Sequence, residues 1–484
     1  MGAVTNGQGG ATHRYQALAD IICGLLDSGV LRQGMRAPSV RRIAAEQGVS
    51  ISTVLHAYRL LEDRGVLEAR PKSGFYVTGG GPTARATPRA SKPKDGPVKV
   101  AVARGVLSLL EYAGRPDIVP LGCAIPSAEL LSAGGLDRFL ARTARVKGKA
   151  YNIYTEPRGD AQLRREICHR ALRCGQVLRP DAVAITNGCT EALSLALRAV
   201  TKHGDAVAIE SPTYFGLLQV LEALELHAIE LPTAADTGLD IAALAQVLAT
   251  KPVKACLFSS SFNNPLGCSL TDDGKRAVLA LLERHGVPLI EDDIYGDIYF
   301  GPERPKPFMA LGRQADVIYC SSFSKTVAPG YRVGWIATER HMERVLEAKF
   351  ALTLCGAALP QAALAEFLSS GSYDSHLRRI RRAFAENIDR MTRAVDRCFP
   401  AQTRITRPAG GFVLWLEIPG RFDSRRLFDV AIAHGICFAP GAIFSPSKSH
   451  ANCMRLSCGH PWDARIEESI ETLGTLTANM LEKV

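Results

Sequence analysis

The sequence lacks long apolar runs and closely spaced cysteine pairs. No apolar run reaches the roughly 18 residues that a membrane-spanning helix needs, and residues 1–16 have no apolar core of the kind that a signal peptide carries. Thirteen cysteines are scattered without a CxxC pair, which indicates reduced, mostly buried thiols and argues against a disulfide framework or a zinc site. We therefore expect a cytoplasmic protein with no metal centre and no membrane partner.

The length and composition indicate a globular protein of more than one domain. The chain has 484 residues, of which 46% are hydrophobic and 22% are charged. Those proportions are typical of globular proteins, and a chain of this length can bury the cores of several domains of ordinary size.

The positive charge is concentrated at the N-terminal end. Residues 1–104 hold 15 Lys and Arg against 7 Asp and Glu, whereas the remaining residues hold 43 against 41. This asymmetry fits an anionic partner for the N-terminal end, and on charge alone it fits a solvated basic tail equally well.

A change of composition divides the chain. Residues 79–104 are rich in Gly, Pro, Lys and Arg and have few large apolar residues, so we interpret them as a basic linker between two folded parts. Residues 1–78 have a helical pattern. Residues 105–484 alternate strand-like apolar runs with helical ones, as in an α/β sheet, and we expect a smaller α+β subdomain at about 355–484.

The N-terminal part has the pattern of a helix-turn-helix followed by a wing. Ser39 is a predicted N-cap for the helix that Gly48 ends, and Ser50 is a predicted cap for the next helix. The stretch VLEARPKSGFYV adds two short β-type runs around a Pro-Lys-Ser-Gly turn. This order of elements predicts a winged helix-turn-helix domain.

Four stretches of this part, APSVRRIA, VSISTV, AYRLLEDRG and KSGFYV, resemble consecutive signatures of the GntR family of winged-helix regulators. The resemblance implies a double-stranded DNA partner, approached by Arg41, Ser52, Thr53, His56 and Gly74. Arginine suits a guanine edge, and short hydroxyls at a helix N-terminus suit phosphate oxygens. The alternative for Arg41 or His56 taken alone is a solvated helix face. Ile51 stands where the family usually has an arginine, which puts base recognition at that position in question.

The C-terminal part contains motifs that together suit a phosphorylated aromatic aldehyde. AVAITNGCT indicates a strand, a tight turn and a helix whose start, at Gly188, Cys189 and Thr190, can bind a phosphate. Tyr214 follows a strand end and a proline, where its ring can stack on a flat heterocycle. Asn264 precedes a proline turn and can donate a hydrogen bond to a phenolate-like oxygen.

Two further motifs carry the reactive groups. In LIEDDIYGDIY a buried strand ends in acidic residues, and such a carboxylate needs a cationic partner. Asp292 can bind a protonated pyridine nitrogen, and Tyr295 can reach the ring hydroxyl. In SSFSKTVAPGYRVGW, Ser322 and Arg332 are candidate phosphate ligands. Lys325 is the amine that can form an imine with an aldehyde.

Together these motifs resemble the fold-type I aminotransferases, whose cofactor is pyridoxal 5′-phosphate. The resemblance covers roughly residues 105–484 and implies an α/β domain with a mainly parallel sheet. It also implies that Lys325 is the Schiff-base lysine and that Arg455, in NCMRLSCGH, grips the carboxylate of an amino acid. Tyr154, in YNIYTEPRGD, would reach the cofactor phosphate of the neighbouring subunit, so the active form would be a homodimer.

The order of winged helix, linker and aminotransferase-like domain resembles the MocR-type subfamily of GntR regulators. That resemblance implies a DNA-binding regulator, arranged as a head-to-tail homodimer, that senses pyridoxal 5′-phosphate, an amino acid or an amine through aldimine exchange at Lys325. The alternative is a working aminotransferase that converts an amino acid to a 2-oxo acid and carries an N-terminal extension. Asp292, Tyr295 and Lys325 serve both hypotheses, so these residues do not decide between them.

Overall fold

The chain divides between Arg85 and Ala86 into two units, which we describe separately. A computed structural model of the chain describes residues 11–27, 30–32, 34–63, 66–70, 73–77, 85–132, 135–259, 261–312 and 315–482. Residues 79–84 of the predicted linker lie outside this described part.

The first unit contains three helices and a two-stranded wing. Its elements are α1 (Ala11–Asp27), α2 (Val40–Gln47), α3 (Ile51–Asp63), β1 (Leu67–Arg70) and β2 (Gly74–Val77). The Ser39 hydroxyl accepts the Arg42 N–H at 3.2 Å, and Gly48 ends α2 with a left-handed φ of 63°. The Ser50 hydroxyl accepts the Thr53 N–H at 3.2 Å and caps α3. The predicted caps at Ser39, Gly48 and Ser50 are therefore confirmed.

A small apolar core holds the first unit together. Leu18 and Ile22 of α1 pack with Val54, Tyr58 and Leu61 of α3, and all five are buried. The strands β1 and β2 pair antiparallel, with Arg70 opposite Gly74. The helical periodicity seen in the sequence thus corresponds to the face that is buried.

The second unit has fourteen helices among its described residues. They are α4 (Ala103–Ala113), α5 (Ala128–Ser132), α6 (Leu136–Lys147), α7 (Ala161–Leu172), α8 (Cys189–Val200), α9 (Phe215–Ala223), α10 (Ile241–Thr250), α11 (Asp272–His285), α12 (Phe308–Leu311), α13 (Met342–Thr353), α14 (Ala358–Ser369), α15 (Ser372–Cys398), α16 (Ser424–Ala433) and α17 (Ala464–Leu481).

The strands of the second unit alternate with these helices. They are β3 (Val98–Lys99), β4 (Val119–Pro120), β5 (Val183–Thr186), β6 (Ala206–Ser211), β7 (His227–Ala234), β8 (Gly238–Leu239), β9 (Val253–Ser259), β10 (Leu289–Asp292), β11 (Val317–Ser322), β12 (Gly334–Ala337), β13 (Arg404–Ile405), β14 (Val413–Glu417), β15 (Ile436–Cys437), β16 (Ala439–Pro440) and β17 (Cys453–Ser457).

The large sheet has the order β3-β7-β6-β9-β10-β11-β12-β5, with β8 paired to β7. Neighbours from β7 to β11 run parallel, whereas β12 pairs antiparallel with both β11 and β5. The predicted α/β fold with a mainly parallel sheet is confirmed. Because the carboxyl ends of parallel strands share one edge of a sheet, the segments after β6, β10 and β11 meet there.

A second, four-stranded sheet lies in the C-terminal region, with the order β13-β14-β17-β16. All of its neighbours are antiparallel, and Trp415 of β14 pairs with Arg455 of β17. Both side chains are almost fully buried. This sheet is what brings Arg455 to the site described below.

The basic segment before α4 is ordered on the second unit from Ala86 onward. The Ala86 carbonyl accepts the Ile405 N–H at 3.1 Å, and the Arg89 N–H donates to Glu417 at 2.7 Å. Farther along, the Ser91 hydroxyl donates to the Ser211 carbonyl at 2.6 Å. We call residues 86–99 the strap, because they connect the small sheet to the large one. The expected linker is therefore ordered over this part of its length, through backbone contacts that its composition does not signal.

None of the thirteen cysteines forms a disulfide, and ten of them are buried. In the described part of the chain, no helix is both long enough and apolar enough to cross a membrane.

Candidate functional site

Lys325 lies three residues after the end of β11, and we call residues 321–328, which include the last two residues of that strand, the lysine loop. Its Nζ donates to the Ala124 carbonyl at 2.6 Å. Burial lowers the pKa of the Lys325 amine to about 8, and the positive charge of Arg455 contributes to this lowering. A neutral amine is the nucleophilic form, so this environment prepares Lys325 to attack an aldehyde.

Asp292 is the last residue of β10 and is buried. Burial raises the pKa of its carboxyl to about 6, and the carboxylate of Asp293 contributes to the rise. Its Oδ1 accepts hydrogen bonds from the Cys189 thiol at 3.5 Å and from the Ile294 N–H at 3.3 Å. Neither donor carries a charge, so a cation against this carboxylate would stabilise its ionised form.

Tyr295, Asn264 and Arg455 form a chain of buried polar groups. The Asn264 amide donates to the Tyr295 hydroxyl at 3.5 Å, and Arg455 donates to the amide oxygen of Asn264 at 3.0 Å. Arg455 also donates to the Gly122 carbonyl, whereas its Nε has no partner although it is buried. Burial raises the pKa of Tyr295 and lowers that of Arg455. An anionic ligand beside Arg455 would satisfy the unpaired N–H.

The start of α8 and the side chain of Arg332 meet at Gly188. Gly188 has a φ of 85°, which favours glycine, and a Cβ there would lie 2.5 Å from Nη2 of Arg332 and would force the guanidinium to shift. Arg332 itself has a left-handed φ of 54° and donates to the Asn187 carbonyl at 2.9 Å. The two residues thus place a guanidinium group at the positive end of a helix, which suits a phosphate.

The remaining predicted site residues are found in different environments. Ser322 is buried, and its hydroxyl accepts the Ser324 N–H at 3.3 Å. Thr190, in the first turn of α8, is exposed. Burial raises the pKa of Tyr214 to about 12, and this side chain directly precedes α9. Tyr154 is 82% exposed, so contact of Tyr154 with a neighbouring subunit stays a prediction.

Residues 122–124, in the segment that follows β4, were not anticipated from the sequence. The carbonyl of Gly122 accepts from Arg455, and the carbonyl of Ala124 accepts from Lys325. The contacts are made by backbone oxygens, which any residue type supplies. No side-chain motif could have identified them.

These residues fit pyridoxal 5′-phosphate, the cofactor that the sequence motifs imply. Asp292 is suited to binding a protonated pyridine nitrogen. Asn264 and Tyr295 together are suited to binding a phenolic oxygen. Arg332 with the start of α8 is suited to a phosphate. The cofactor and the site match in charge at Asp292 and at Arg332, whereas the unpaired Nε of Arg455 is suited to the carboxylate of an amino acid and not to the cofactor itself.

The residues predicted to approach DNA lie on the surface of the first unit. Arg41, Ser52, His56 and Gly74 are at least partly exposed, and Thr53 is half-buried. The hydroxyls of Ser52 and Thr53 each hydrogen-bond the Ser50 hydroxyl at 2.8 Å. The His56 ring stacks on Tyr15 with centroids 4.6 Å apart. Gly74 has a φ of 100°, which favours glycine in the wing.

Two family models match the chain, one in each unit. Residues 14–77 match the bacterial regulatory proteins of the gntR family. Residues 132–473 match aminotransferase class I and II. The first unit is accordingly a DNA-binding domain of the GntR type.

Relatives of two kinds are similar to this chain. It is 38% identical over 469 residues to an uncharacterized HTH-type transcriptional regulator, YdcR, of Escherichia coli (strain K12), a match that covers 97% of this chain and 100% of that protein. It is 30% identical over 386 residues to a 2-aminoadipate transaminase of Thermus thermophilus, a match that covers 79% of this chain and 96% of that protein.

Solved aminotransferase structures share the fold of the second unit. The crystal structure of LysN, an α-aminoadipate aminotransferase from Thermus thermophilus complexed with N-(5′-phosphopyridoxyl)-L-leucine, superposes with a TM-score of 0.73. It is 29% identical in sequence, and the match covers 78% of this chain and 96% of that chain. The second unit is a fold-type I domain whose cofactor is pyridoxal 5′-phosphate. The chain belongs to the MocR-type transcriptional regulators, which join a GntR-type DNA-binding domain to an aminotransferase class I and II domain.

Proposed function

We propose that this transcriptional regulator senses an amino acid or amine at Lys325 and changes its binding to double-stranded DNA in response. The observation that carries the proposal is the buried Lys325 amine with its lowered pKa, in a chain that begins with a DNA-binding domain. When bound, pyridoxal 5′-phosphate supplies an aldehyde that condenses reversibly with a primary amine. An incoming amine would displace Lys325 and take its place.

Arg455 and the residues around it give this sensor its selectivity for an effector. Arg455 is fully buried and has an unpaired Nε, and its guanidinium lies near the rings of Phe215 and Phe444, 5.8 and 5.2 Å from their centroids. A carboxylate on the effector would pair with this guanidinium in a site of low dielectric. We therefore favour an α-amino acid over a simple amine as the effector.

The strap supplies a route by which the site can influence the first unit. Ser91 is 7% exposed and bonds both strands at this edge of the large sheet, donating to Ser211 and accepting the Thr233 N–H at 3.2 Å. Ser211 lies three positions before Tyr214, the predicted ring-stacking residue. Movement of the segment from Ser211 to Tyr214 on effector binding would disturb the contacts of Ser91. The strap follows the first unit in sequence, so such a disturbance could reach that unit through the backbone.

The protein would act as a head-to-tail homodimer on paired half-sites. The exposed Tyr154 and its neighbour Ile153, which is 72% exposed, support a contact with a second copy. In this arrangement Tyr154 would complete the phosphate site of the partner. Arg41, Ser52, Thr53, His56 and Gly74 would face the DNA, with the strap residues Lys92 and Lys94 adding charge.

A working aminotransferase is the second candidate. Lys325, freed by an incoming amino acid, would move a proton between two carbon atoms, and Asp292, Tyr295 and Arg455 would support that step. The similarity to 2-aminoadipate transaminase favours this candidate. Slow transamination is compatible with a sensor, so the two candidates differ in rate and in DNA binding.

The deciding experiment measures turnover and DNA binding on the same preparation. Steady-state rates are measured with pairs of amino acids and 2-oxo acids, and DNA affinity is measured on the region upstream of the protein's own gene. We expect specific DNA binding and slow turnover. Fast turnover without specific DNA binding would contradict the regulator hypothesis and support the aminotransferase hypothesis.

A further inference from the structure

A cavity of about 670 Å³ lies within the second unit, beside the lysine loop. Ser321, Ser322, Phe323 and Thr326 of that loop form one wall. The other walls come from the turn after β10, from residues 173–178 after α7, and from the start of α15. Its volume falls in the range of sites that hold small ligands.

The cavity is separate from the cofactor site. None of Lys325, Asp292, Asn264, Tyr214 and Arg455 lines it, and of the predicted cofactor residues it shares only Ser322. Asp293 lines the cavity and directly follows Asp292 in the chain. The two sites therefore have neighbouring residues along one wall but enclose separate volumes.

Three of the four carboxylates that line the cavity are paired with arginines. Arg304 donates to Asp293 at 2.6 Å and to Asp297 at 2.7 Å, and Arg170 donates to Asp374 at 2.9 Å. The charges of these pairs largely cancel, and the pairs hold the walls in place.

Further basic side chains line the cavity in excess of these pairs. Arg381 uses its Nε to bond the Asp297 carbonyl at 2.6 Å, and its guanidinium lies 3.7 Å from the centroid of the Tyr299 ring. Arg378 also lines the cavity, whereas Lys306 pairs with Asp272, outside the lining, at 3.7 Å, and Glu303 is the one further acidic residue of the lining. A guanidinium held against an aromatic ring keeps its remaining N–H groups available to bind a carboxylate.

Three buried polar atoms without a partner belong to residues that line this cavity. They are Nε2 of Gln176, Nε1 of Trp335 and Oδ1 of Asp293. Two are donors and one is an acceptor. A buried polar group without a hydrogen bond destabilises a fold, so each of these atoms indicates a missing partner.

We propose that this cavity binds a small carboxylate that also carries an amino or hydroxyl group. The carboxylate would accept hydrogen bonds from Arg381. The donors of Gln176 and Trp335 and Oδ1 of Asp293 have almost no accessible surface, so small shifts of these side chains would bring them within reach of the carboxylate and of the amino or hydroxyl group. The binding does not depend on the sensing of amines at Lys325.

A ligand here would act on the cofactor site through the wall that the two sites share. The Ser321 hydroxyl donates to the Asp293 carbonyl at 2.8 Å, which ties the lysine loop to the strand end that carries Asp292. A ligand that pairs with Asp293 would change the field at Asp292. This regulatory consequence rests on the proposed function, whereas the occupancy of the cavity does not.

The test uses L-malate and L-lactate with the full chain loaded with its cofactor. Both probes carry a carboxylate and a hydroxyl group, and neither has an amine that could replace Lys325. Binding is measured by calorimetry and by the fluorescence of Trp335, one of three tryptophans in the chain. We expect saturable binding of at least one probe and a change in fluorescence that Trp335→Phe removes.

Two neighbouring arginines of α15 give the matched variants. Arg381 lines the cavity, whereas the next residue, Arg382, does not line it and is exposed. We expect Arg381→Met to weaken the binding roughly tenfold or more and Arg382→Met to leave it unchanged. Gln176→Met tests the same site with a smaller change if Arg381→Met fails to fold.

Four results would overturn the proposal. They are the absence of binding by both probes, equal affinity in Arg381→Met and the unchanged chain, loss of binding in Arg455→Lys with Arg381→Met unaffected, and binding of inorganic phosphate as tight as that of the hydroxy acids. The third result would assign the probes to the cofactor site. Lys325→Ala is expected to keep the binding, so failure of the proposed function and failure of this proposal are distinguishable.

Discussion

The two units place their predicted functional residues in opposite environments. In the first unit Arg41 and Ser52 are exposed, whereas in the second unit Asp292 and Arg455 are buried. An exposed arginine acts through a permanent charge that solvent and salt screen. A buried group changes its chemistry, because desolvation shifts its pKa. The first unit is therefore suited to a surface contact with DNA, and the second to the chemistry of a small molecule.

The largest expected effect comes from Lys325→Ala. We expect the absorbance band of the bound cofactor near the visible to disappear, because the amine that anchors the aldehyde is gone. Lys349→Ala is the control, since Lys349 is another buried lysine whose pKa is lowered by burial. Retention of the band in Lys325→Ala would remove this residue as the anchor.

The pH dependence of cofactor loading tests the buried environment of Lys325. The neutral amine reacts, and its pKa of about 8 compared with the ordinary 10.5 makes the neutral fraction at pH 7 roughly 300-fold larger. We expect the loading rate of the apo-protein to rise with pH and level off above about 8. Arg455→Leu should move this midpoint upward, because Arg455 contributes to lowering the pKa. An unchanged midpoint would exclude that contribution.

The buried His450 is expected to make the fold sensitive to acid. Burial lowers the pKa of His450 to about 4, whereas the unfolded chain protonates it near 6.5. The unfolded state therefore binds the proton first, and the free energy of unfolding should fall by up to about 3 kcal/mol as the pH drops from 6.5 to 4. Calorimetry of His450→Gln should show a flatter dependence than that of the unchanged chain, and an equally steep dependence in His450→Gln would exclude this histidine as the cause.

Arg41→Ala tests the exposed side of the comparison. If Arg41 contacts a guanine edge, specific DNA binding should weaken by roughly 1–3 kcal/mol. Fluorescence anisotropy with the operator, beside DNA of unrelated sequence, measures the change. An equal loss on both DNAs would assign Arg41 to the phosphate backbone, and no loss would remove it from the interface.

The smallest expected effect comes from the strap. Ser91→Ala removes a buried hydroxyl that bonds Ser211 and Thr233, and it should lower the stability of the second unit by about 1 kcal/mol. Lys92→Ala, next to it and exposed, should change the melting temperature by less. Equal effects of the two substitutions would show that the contact of Ser91 contributes nothing particular.

The sequence predicts those features that side chains encode. Acidic residues at the end of an apolar strand indicated Asp292, and the cap residues Ser39 and Gly48 indicated the bounds of α2. The sequence indicated Asn264, Tyr295 and Arg455 only as members of separate motifs and not as one hydrogen-bonded group. Its hydrogen bonds join residues that are far apart in sequence.

Features made by backbone groups or by distant segments could not be predicted. The carbonyls of Gly122 and Ala124 carry no sequence signal, and the strap has the composition of a free linker although its backbone bonds the small sheet. The cavity beside the lysine loop is lined by several segments that only the fold brings together. Its unpaired Gln176 and Trp335 atoms become visible only in three dimensions.

The most direct test of the account is the DNA affinity of the full chain, loaded with pyridoxal 5′-phosphate, with and without a panel of amino acids. The account predicts that at least one amino acid changes the affinity of the unchanged chain and has no effect on Lys325→Ala. An identical response in both proteins, or no response to any amino acid or amine, would contradict sensing at Lys325.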